Sequence, residues 1–281
     1  MITELIVFIF ILLIIYLFFI NNKKESFNNI DDNTINDKKY FKSVNNYNDI
    51  YDDFYVFYYD DIYYNNNYYI SISQSIIKYI NSVYNNHLCI GIKHGGHINE
   101  ILKENIPTLS ISKSNSIINK CNYNYNSNNY KYYDGYDINP YLFNENEFTH
   151  ISLIDNEIYY YDDIIPLFNN CYKWLMHKGY FFIQCYDNIN NFKNNISDNQ
   201  IKNNFLMKYN YSKEFKTFND NNSFYFIEKI KQNKKMRTNI HNLYFQDEKY
   251  ILNVCNNIGF DLKEKIILNK YQNLFVFKKN R

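Results

Sequence analysis

Segments with the pattern of short β-strands alternate with helix-like segments over residues 87–187, and this alternation is the strongest constraint on the fold. The apolar run HLCIGI leads through a glycine-rich turn into the amphipathic stretch HINEILKEN. PTLSIS and FTHISLID have strand character, and YFFIQCYD reads as a strand buried on both faces. IIPLFNNCYKWLMHKG predicts a helix that ends at Gly179. Strands and helices at this spacing predict βαβ units and a parallel, doubly wound sheet.

The C-terminal part of the chain has a different pattern. NSFYFIEKI and RTNIHNLYF predict strands, and DEKYILNVCNNIGF predicts a helix that ends at Gly259. Residues 261–279 predict a closing β-hairpin. We expect residues 188–246 to be an insertion that covers the site and selects the substrate.

The first residues predict an element separate from this domain. LIVFIFILLIIYLFFI carries no charge, and a helix starting at Ile2 would reach ~28 Å, enough to span a bilayer. Lys23 and Lys24 follow at once, which predicts a cytosolic C-terminal side. The sequence therefore predicts a single-pass membrane protein with an anchor over residues 1–22, a polar linker over 23–48 and one folded domain over 49–281.

The turn after the first strand contains three of the chain's six glycines, Gly91, Gly95 and Gly96. In a doubly wound sheet this turn is where a nucleotide-like ligand lies, next to a helix N-terminus. The turn is neither a GxGxxG fingerprint nor a P-loop, which argues against a nicotinamide-dependent oxidoreductase. On the glycines alone, a ligand-binding turn and a tight structural turn both remain open.

From about Tyr79 to Phe277 the order of segments resembles the class I S-adenosylmethionine-dependent methyltransferases. HLCIGIKHGGHINEIL is similar to motif I of that family, and LSISKSNSIINKC to motif II. YYDGYDINPYLFNENEFTHISLID, LFNNCYKWLMHKGYFFIQ and the final NIGF…NLFVF follow in the family's order. The resemblance implies an α/β, Rossmann-like seven-stranded sheet with helices on both faces, here preceded by the predicted transmembrane helix. It also implies S-adenosylmethionine as the cofactor.

The departures from the family fall on the positions that hold the cofactor. The motif I acid aligns with Cys89, and the middle glycine of that motif with Lys93. The motif II acid aligns with Ser112, and the acid of the third segment with Tyr136. A lost charge-assisted hydrogen bond costs about 1.5 to 3 kcal/mol, so these changes weaken cofactor binding. The cofactor-binding residues implied by the resemblance are Cys89, Gly91, Lys93, Gly95, Ser112, Asp134, Asp137 and Asp155.

Two side chains after the fourth strand are candidates for the catalytic base. Asp155 and Tyr159 lie where the family places residues that face the substrate. Three adjacent tyrosines are also typical of packing, and this alternative remains open.

Charge and metal-ligating residues exclude other classes of function. The net charge of +1 argues against a nucleic-acid partner. His87, His94 and His97 lack the further ligands that a metal site needs, so no metal is expected. Two hypotheses remain: a membrane-anchored methyltransferase acting on a small molecule or a protein, and a catalytically inactive pseudo-methyltransferase that serves as a tethered interaction module.

Overall fold

A computed structural model describes five stretches of the chain: residues 40–63, 65–80, 85–198, 201–217 and 223–280. The predicted anchor, residues 1–22, lies outside the described residues. Among those that are described, no helix is both long enough and apolar enough to cross a bilayer. This finding corrects the prediction of a single-pass membrane protein with its C-terminal domain facing the cytosol.

The described residues form eleven β-strands. They are β1 (Tyr40–Val44), β2 (His87–Ile90), β3 (Thr108–Ser112), β4 (Tyr130–Tyr132), β5 (Phe148–Leu153), β6 (Leu175–Tyr186), β7 (Asn210–Thr217), β8 (Ser223–Gln232), β9 (Lys235–Tyr244), β10 (Phe260–Ile267) and β11 (Gln272–Lys279).

The same residues form nine α-helices and one 3-10 helix. They are α1 (Tyr47–Ile50), α2 (Asp53–Tyr63), α3 (Asn66–Ile77), α4 (Gly96–Lys103), α5 (Asn115–Tyr125), the 3-10 helix (Glu157–Tyr160), α6 (Ile165–Trp174), α7 (Ile189–Asp198), α8 (Asn203–Lys208) and α9 (Glu248–Ile258).

Seven of the strands form a central sheet in the order β10-β11-β6-β5-β2-β3-β4. β11 is antiparallel to both its neighbours, and the other adjacent pairs are parallel. The carboxyl ends of β2, β3 and β5 therefore meet at one edge, which is where open α/β sheets bind ligands. The predicted seven-stranded sheet is confirmed.

Alternate residues of the central strands point into two separate cores. Leu88 and Ile90 pack in one core with α6 and α9, whereas Cys89 packs in the other with α2 and α4. Because side chains alternate along a strand, these two cores lie on opposite faces of the sheet. Helices therefore cover both faces, as predicted.

A second sheet of four strands has the order β1-β9-β8-β7. Its strands β7, β8 and β9 lie within residues 188–246, the stretch expected to cover the site. β1 pairs in parallel with β9, although residues 40–44 lie in the stretch expected to be a polar linker. The 3-10 helix that follows β5 contacts β9 and so joins the two sheets.

The prediction that Gly179 ends a helix is wrong. α6 ends at Trp174, and Gly179 lies inside β6. A Cβ at position 179 would lie 2.8 Å from the backbone oxygen of Thr149 on the neighbouring strand. Glycine is needed there for close approach between strands, a role that a helix-stop pattern does not reveal.

Arg237 of β9 connects the second sheet to the start of α2. Its guanidinium is 1% exposed and donates to both carboxylate oxygens of Asp52, at 2.8 and 2.7 Å. It also donates to the backbone oxygens of Asp49 and Ile50, at 3.0 and 2.8 Å. These bonds satisfy a buried cation and hold α1 and α2 against β9.

We expect Arg237→Met to lower the free energy of unfolding by about 2 to 5 kcal/mol, because it leaves two backbone carbonyls without their side-chain donor. Asp52 loses its strongest partner but keeps Lys42 and the backbone N–H of Tyr55. Urea denaturation of the full chain measures this change. Lys231→Met, at an exposed position on β8, is the matched control and should change stability by less than about 0.5 kcal/mol. Equal losses in the two variants would contradict this role of Arg237.

Candidate functional site

Four of the positions implied by the family resemblance meet at the carboxyl edge of the central sheet. Gly91 follows β2 directly with a φ of +78°, and Lys93 comes two residues later. Ser112 is the last residue of β3, and Asp155 follows β5. The topology therefore brings Gly91, Lys93, Ser112 and Asp155 to one place, as the sequence predicts.

The side chain of Glu157 lies directly against Gly91. A Cβ built on Gly91 would lie 2.0 Å from Cγ and 2.3 Å from Cδ of Glu157. Glu157 is 1% exposed, so its carboxylate is buried in this turn. The bare backbone of the glycine thus accommodates a side chain of the same chain.

The Glu157 carboxylate receives hydrogen bonds from three tyrosines of three segments. Tyr136 and Tyr161 donate to Oε1 at 2.7 and 3.0 Å, and Tyr47 donates to Oε2 at 3.4 Å. Tyr136 is the residue that aligns with an acid of the family. Burial and the nearby Glu157 charge raise the pKa of Tyr136 well above its usual value, so this phenol stays a donor.

Lys93 supplies the positive charge of this cluster. Its Nζ lies 3.5 Å from Oε2 of Glu157 and 4.7 Å from the ring centroid of Tyr160, and it donates to the backbone oxygen of Asp155. Lys93 is 2% exposed. Burial lowers the pKa of Lys93, while Glu157 and Asp155 oppose that shift.

Ser112 is fully buried and lies beside α1. Its Oγ accepts from the backbone N–H of Ser114 at 3.3 Å, and the Tyr47 hydroxyl lies close to its side chain. At all of these positions the residues make contacts within the chain. The residues fit S-adenosylmethionine only if Glu157 leaves Gly91.

Other predicted cofactor residues do not join this cluster. Cys89 is buried with Sγ 3.4 Å from His97 Nε2, and burial raises its pKa. Gly95 has a φ of +78° at the start of α4, and a Cβ there would lie 2.9 Å from the sulfur of Cys121. Asp134 is exposed and accepts a hydrogen bond from the backbone N–H of Gly135. Asp137 forms an ion pair with Lys113 at 3.1 Å.

The two predicted catalytic residues have different surroundings. Asp155 has a φ of +56°, accepts from the backbone N–H of Lys93 at 3.2 Å and lines a cavity. Tyr159 is fully buried, accepts from the backbone N–H of Tyr186 at 2.9 Å and stacks on Phe245. The structure brings Asp155, but not the Tyr159 hydroxyl, to the cavity.

This cavity has a volume of about 50 Å³, room for a few water molecules. Lys93 and Asp155 line it on the side of the central sheet, and His241 of β9 lines the opposite side. It lies at the carboxyl edge, where the fold class binds ligands.

Sequence reasoning missed a second buried carboxylate next to the cavity, Glu228 of β8. It is fully buried and receives hydrogen bonds from Tyr63 at 2.6 Å, Tyr211 at 2.5 Å and His241 Nε2 at 2.8 Å, and also from Tyr55. Burial acts to raise the pKa of Glu228, but the bonds from His241 and the tyrosines outweigh it and lower the pKa to about 2. No local motif marks this residue, because its partners lie far away in sequence.

His241 continues the chain of hydrogen bonds toward the first cluster. With Nε2 donating to Glu228, Nδ1 accepts from the Tyr160 hydroxyl at 2.8 Å. The Tyr160 hydroxyl also lies 3.0 Å from that of Tyr51. An imidazole oriented by a carboxylate thus lies against the cavity.

The three clustered histidines have structural partners. His87 Nε2 lies 2.9 Å from Ser152 Oγ, and His94 Nε2 lies 3.3 Å from Asp60. No group of three metal-ligating side chains occurs within the part of the chain that the structure describes.

Several solved structures with a similar fold are S-adenosylmethionine-dependent methyltransferases. One from Clostridium acetobutylicum is 14% identical to this chain with a TM-score of 0.56. The match covers 76% of this chain and 92% of the Clostridium chain. The CcbJ methyltransferase from Streptomyces caelestis is 10% identical with a TM-score of 0.55, and the match covers 88% of this chain and 100% of CcbJ. A third is the 1,6-didemethyltoxoflavin-N1-methyltransferase from Burkholderia thailandensis, with bound 1,6-didemethyltoxoflavin and S-adenosylhomocysteine. It is 10% identical with a TM-score of 0.52, and the match covers 83% of this chain and 88% of that enzyme.

The fold is therefore that of the class I S-adenosylmethionine-dependent methyltransferases. No protein-family model matches the chain, and no curated protein sequence matches it. At these identities the likeness establishes the fold, and the chemistry has to be argued from the site.

Contact between Gly91 and Glu157 can be tested by adding a methyl group. We expect Gly91→Ala to lower the free energy of unfolding by more than about 3 kcal/mol, from ~1 to 2 kcal/mol of left-handed backbone cost plus overlap with Glu157. Gly135→Ala is the matched control, since Gly135 has a φ of +71° but its nearest neighbour lies at 3.7 Å. Equal losses in thermal unfolding would mean that Glu157 does not pack against Gly91.

Buried histidines predict that stability falls in mild acid. Burial lowers the pKa of His97 and of His150 to about 4, so both are neutral in the folded protein. The unfolded chain takes up protons near pH 6.5, so stability is full above that pH and is lost as the pH falls toward 4, by about 2 to 3 kcal/mol per histidine. His150→Gln should flatten the pH profile of urea denaturation, and His177→Gln, at an exposed position, should leave it unchanged. A profile as steep in His150→Gln as in the parent chain would refute this assignment.

Proposed function

We propose that the chain is a pseudo-methyltransferase that keeps the methyltransferase fold but acts as an interaction module rather than a catalyst. The observation that carries this proposal is the position of the Glu157 side chain, whose Cγ would lie 2.0 Å from a Cβ built on Gly91. Groups at two further family positions, Lys93 and Tyr136, bind the same carboxylate. The cofactor-facing positions thus bind one another.

We call the space beside Gly91 that the Glu157 side chain fills the groove. The free energy needed to displace Glu157 from it supports the same conclusion. Lys93 and Glu157 are 2% and 1% exposed, so a ligand that displaces Glu157 must break a buried ion pair. Breaking such a pair costs about 3 to 5 kcal/mol, and Ser112 in place of an acid loses about 1.5 to 3 kcal/mol. Since each 1.4 kcal/mol is tenfold, the two penalties together weaken S-adenosylmethionine binding at least about a thousandfold.

Methyl transfer to a small molecule or a protein is the second candidate, and the pair of Glu228 and His241 favours it. A histidine oriented by a carboxylate can take a proton from an acceptor in the cavity, through the Tyr160 hydroxyl. Asp155 lines the same cavity and is a second candidate base. This function requires that Glu157 leave Gly91.

Calorimetric titration of the chain with S-adenosylmethionine and S-adenosylhomocysteine separates the two candidates. We expect no binding up to about 1 mM, with no ligand-induced shift in melting temperature. Lys93→Gly/Glu157→Ala removes both charges of the buried pair together and leaves neither uncompensated. This variant should gain binding by at least about tenfold.

The control is Lys78→Gly/Glu264→Ala, which removes an exposed ion pair of 3.0 Å elsewhere on the protein and should gain nothing. Micromolar binding by the parent chain would overturn the pseudo-methyltransferase proposal and support methyl transfer. A folded groove variant that still binds nothing would refute Glu157 as the group that closes the groove.

A further inference from the structure

The cavity beside Asp155 has aromatic walls and an excess of negative charge, and we propose that it binds a small organic cation of the alkylammonium class. The proposal concerns the lining of this cavity, which shares Lys93 with the Glu157 cluster.

One wall is a row of four tyrosines, Tyr51 just before α2 and Tyr55, Tyr59 and Tyr63 within it. Their successive ring centroids are 5.6, 5.8 and 5.0 Å apart. Residues four apart lie on the same face of a helix, so the three rings of α2 line up, and the ring of Tyr51 extends the row. All four line the cavity.

The structure already places an ammonium group against a ring of this cavity. Nζ of Lys93 lies 4.7 Å from the centroid of Tyr160, within the range of cation–π attraction. Tyr160 and Phe226 also line the cavity. A second cation that enters would therefore lie among aromatic rings, whose faces attract positive charge.

The charges around the cavity sum to a negative value. The carboxylates of Asp155, Glu157 and Glu228 line it or bond its lining residues. The cations are Lys93, Lys213, which donates to the backbone oxygen of the lining residue Ile196, and, when protonated, His241. The sum is negative while His241 is neutral. Burial, and after it the charges of Asp155 and Glu228, raise the pKa of Tyr59 well above its usual value, so this phenol stays protonated.

Size restricts the ligand. A cavity of about 50 Å³ suits a small cation such as methylammonium better than a nucleoside. The negative sum disfavours anions, and the aromatic walls favour a methylated ammonium over a strongly hydrated metal cation. Methylammonium and tetramethylammonium are therefore the appropriate probes.

The test uses the full chain titrated with the chlorides of methylammonium and tetramethylammonium, at constant ionic strength set with sodium chloride. Saturable binding is read from ligand-detected NMR, together with a rise in melting temperature at up to about 50 mM ligand. Methanol and tert-butanol are neutral molecules of similar shape and should bind at least about tenfold more weakly.

Two variants test the cavity itself. Asp155→Asn removes the charge and Tyr59→Leu removes a ring, and each should weaken tetramethylammonium binding at least about tenfold. Their controls are Asp134→Asn and Tyr123→Leu, at exposed positions, which should leave it unchanged. Absence of saturable binding, equal binding of the neutral molecules, or full affinity in both cavity variants would overturn the proposal.

Discussion

The carboxyl edge of the central sheet depends on one constraint: two carboxylates, Glu157 and Glu228, are buried and have to be satisfied without water. Their side chains are 1% and 0% exposed. An isolated buried charge costs many kcal/mol, so each carboxylate needs several donors with good geometry. The donors come from segments far apart in sequence, and each hydrogen bond therefore fixes one segment against another. Glu157 thereby locks α1, the loop after β4 and the turn after β2 around the 3-10 helix.

Tyrosine meets this constraint because it supplies a donor and an apolar ring at once. Tyr55, Tyr63 and Tyr211 donate to Glu228, while their rings pack beneath the second sheet. Tyr160 then links the two clusters, since its hydroxyl bonds His241 and its ring lies over Lys93. The second sheet is held to the first by this polar network as well as by apolar packing, and the cavity lies between the two carboxylates.

Elements with a local pattern could be predicted from the sequence. The helix α9 ends where the sequence predicts, and Gly259, which follows it, has the left-handed φ of +115° that favours a C-terminal glycine. The resemblance placed Gly91 and Ser112 at the correct edge of the sheet. It did not reveal what fills that edge, because Glu157 lies in an ordinary acidic stretch and Tyr55 meets Glu228 across 173 residues. The prediction for Gly179 was wrong because a single glycine after an apolar stretch is typical both of a helix end and of a strand position that lies close to its neighbour, here Thr149.

The missing acids of the cofactor motifs and the presence of Glu157 follow from the same electrostatics. An acid at Ser112 or at Tyr136 would bring a second carboxylate into the buried site that Glu157 occupies, and two neighbouring buried carboxylates disfavour being ionised together. A neutral serine and a tyrosine that donates at 2.7 Å avoid this repulsion. Lys93 belongs to the same arrangement, because a buried ammonium without Glu157 would be uncompensated. The departures at positions 93, 112 and 136 are therefore coupled through Glu157, and no one of them can be reversed in the closed groove without disturbing the others.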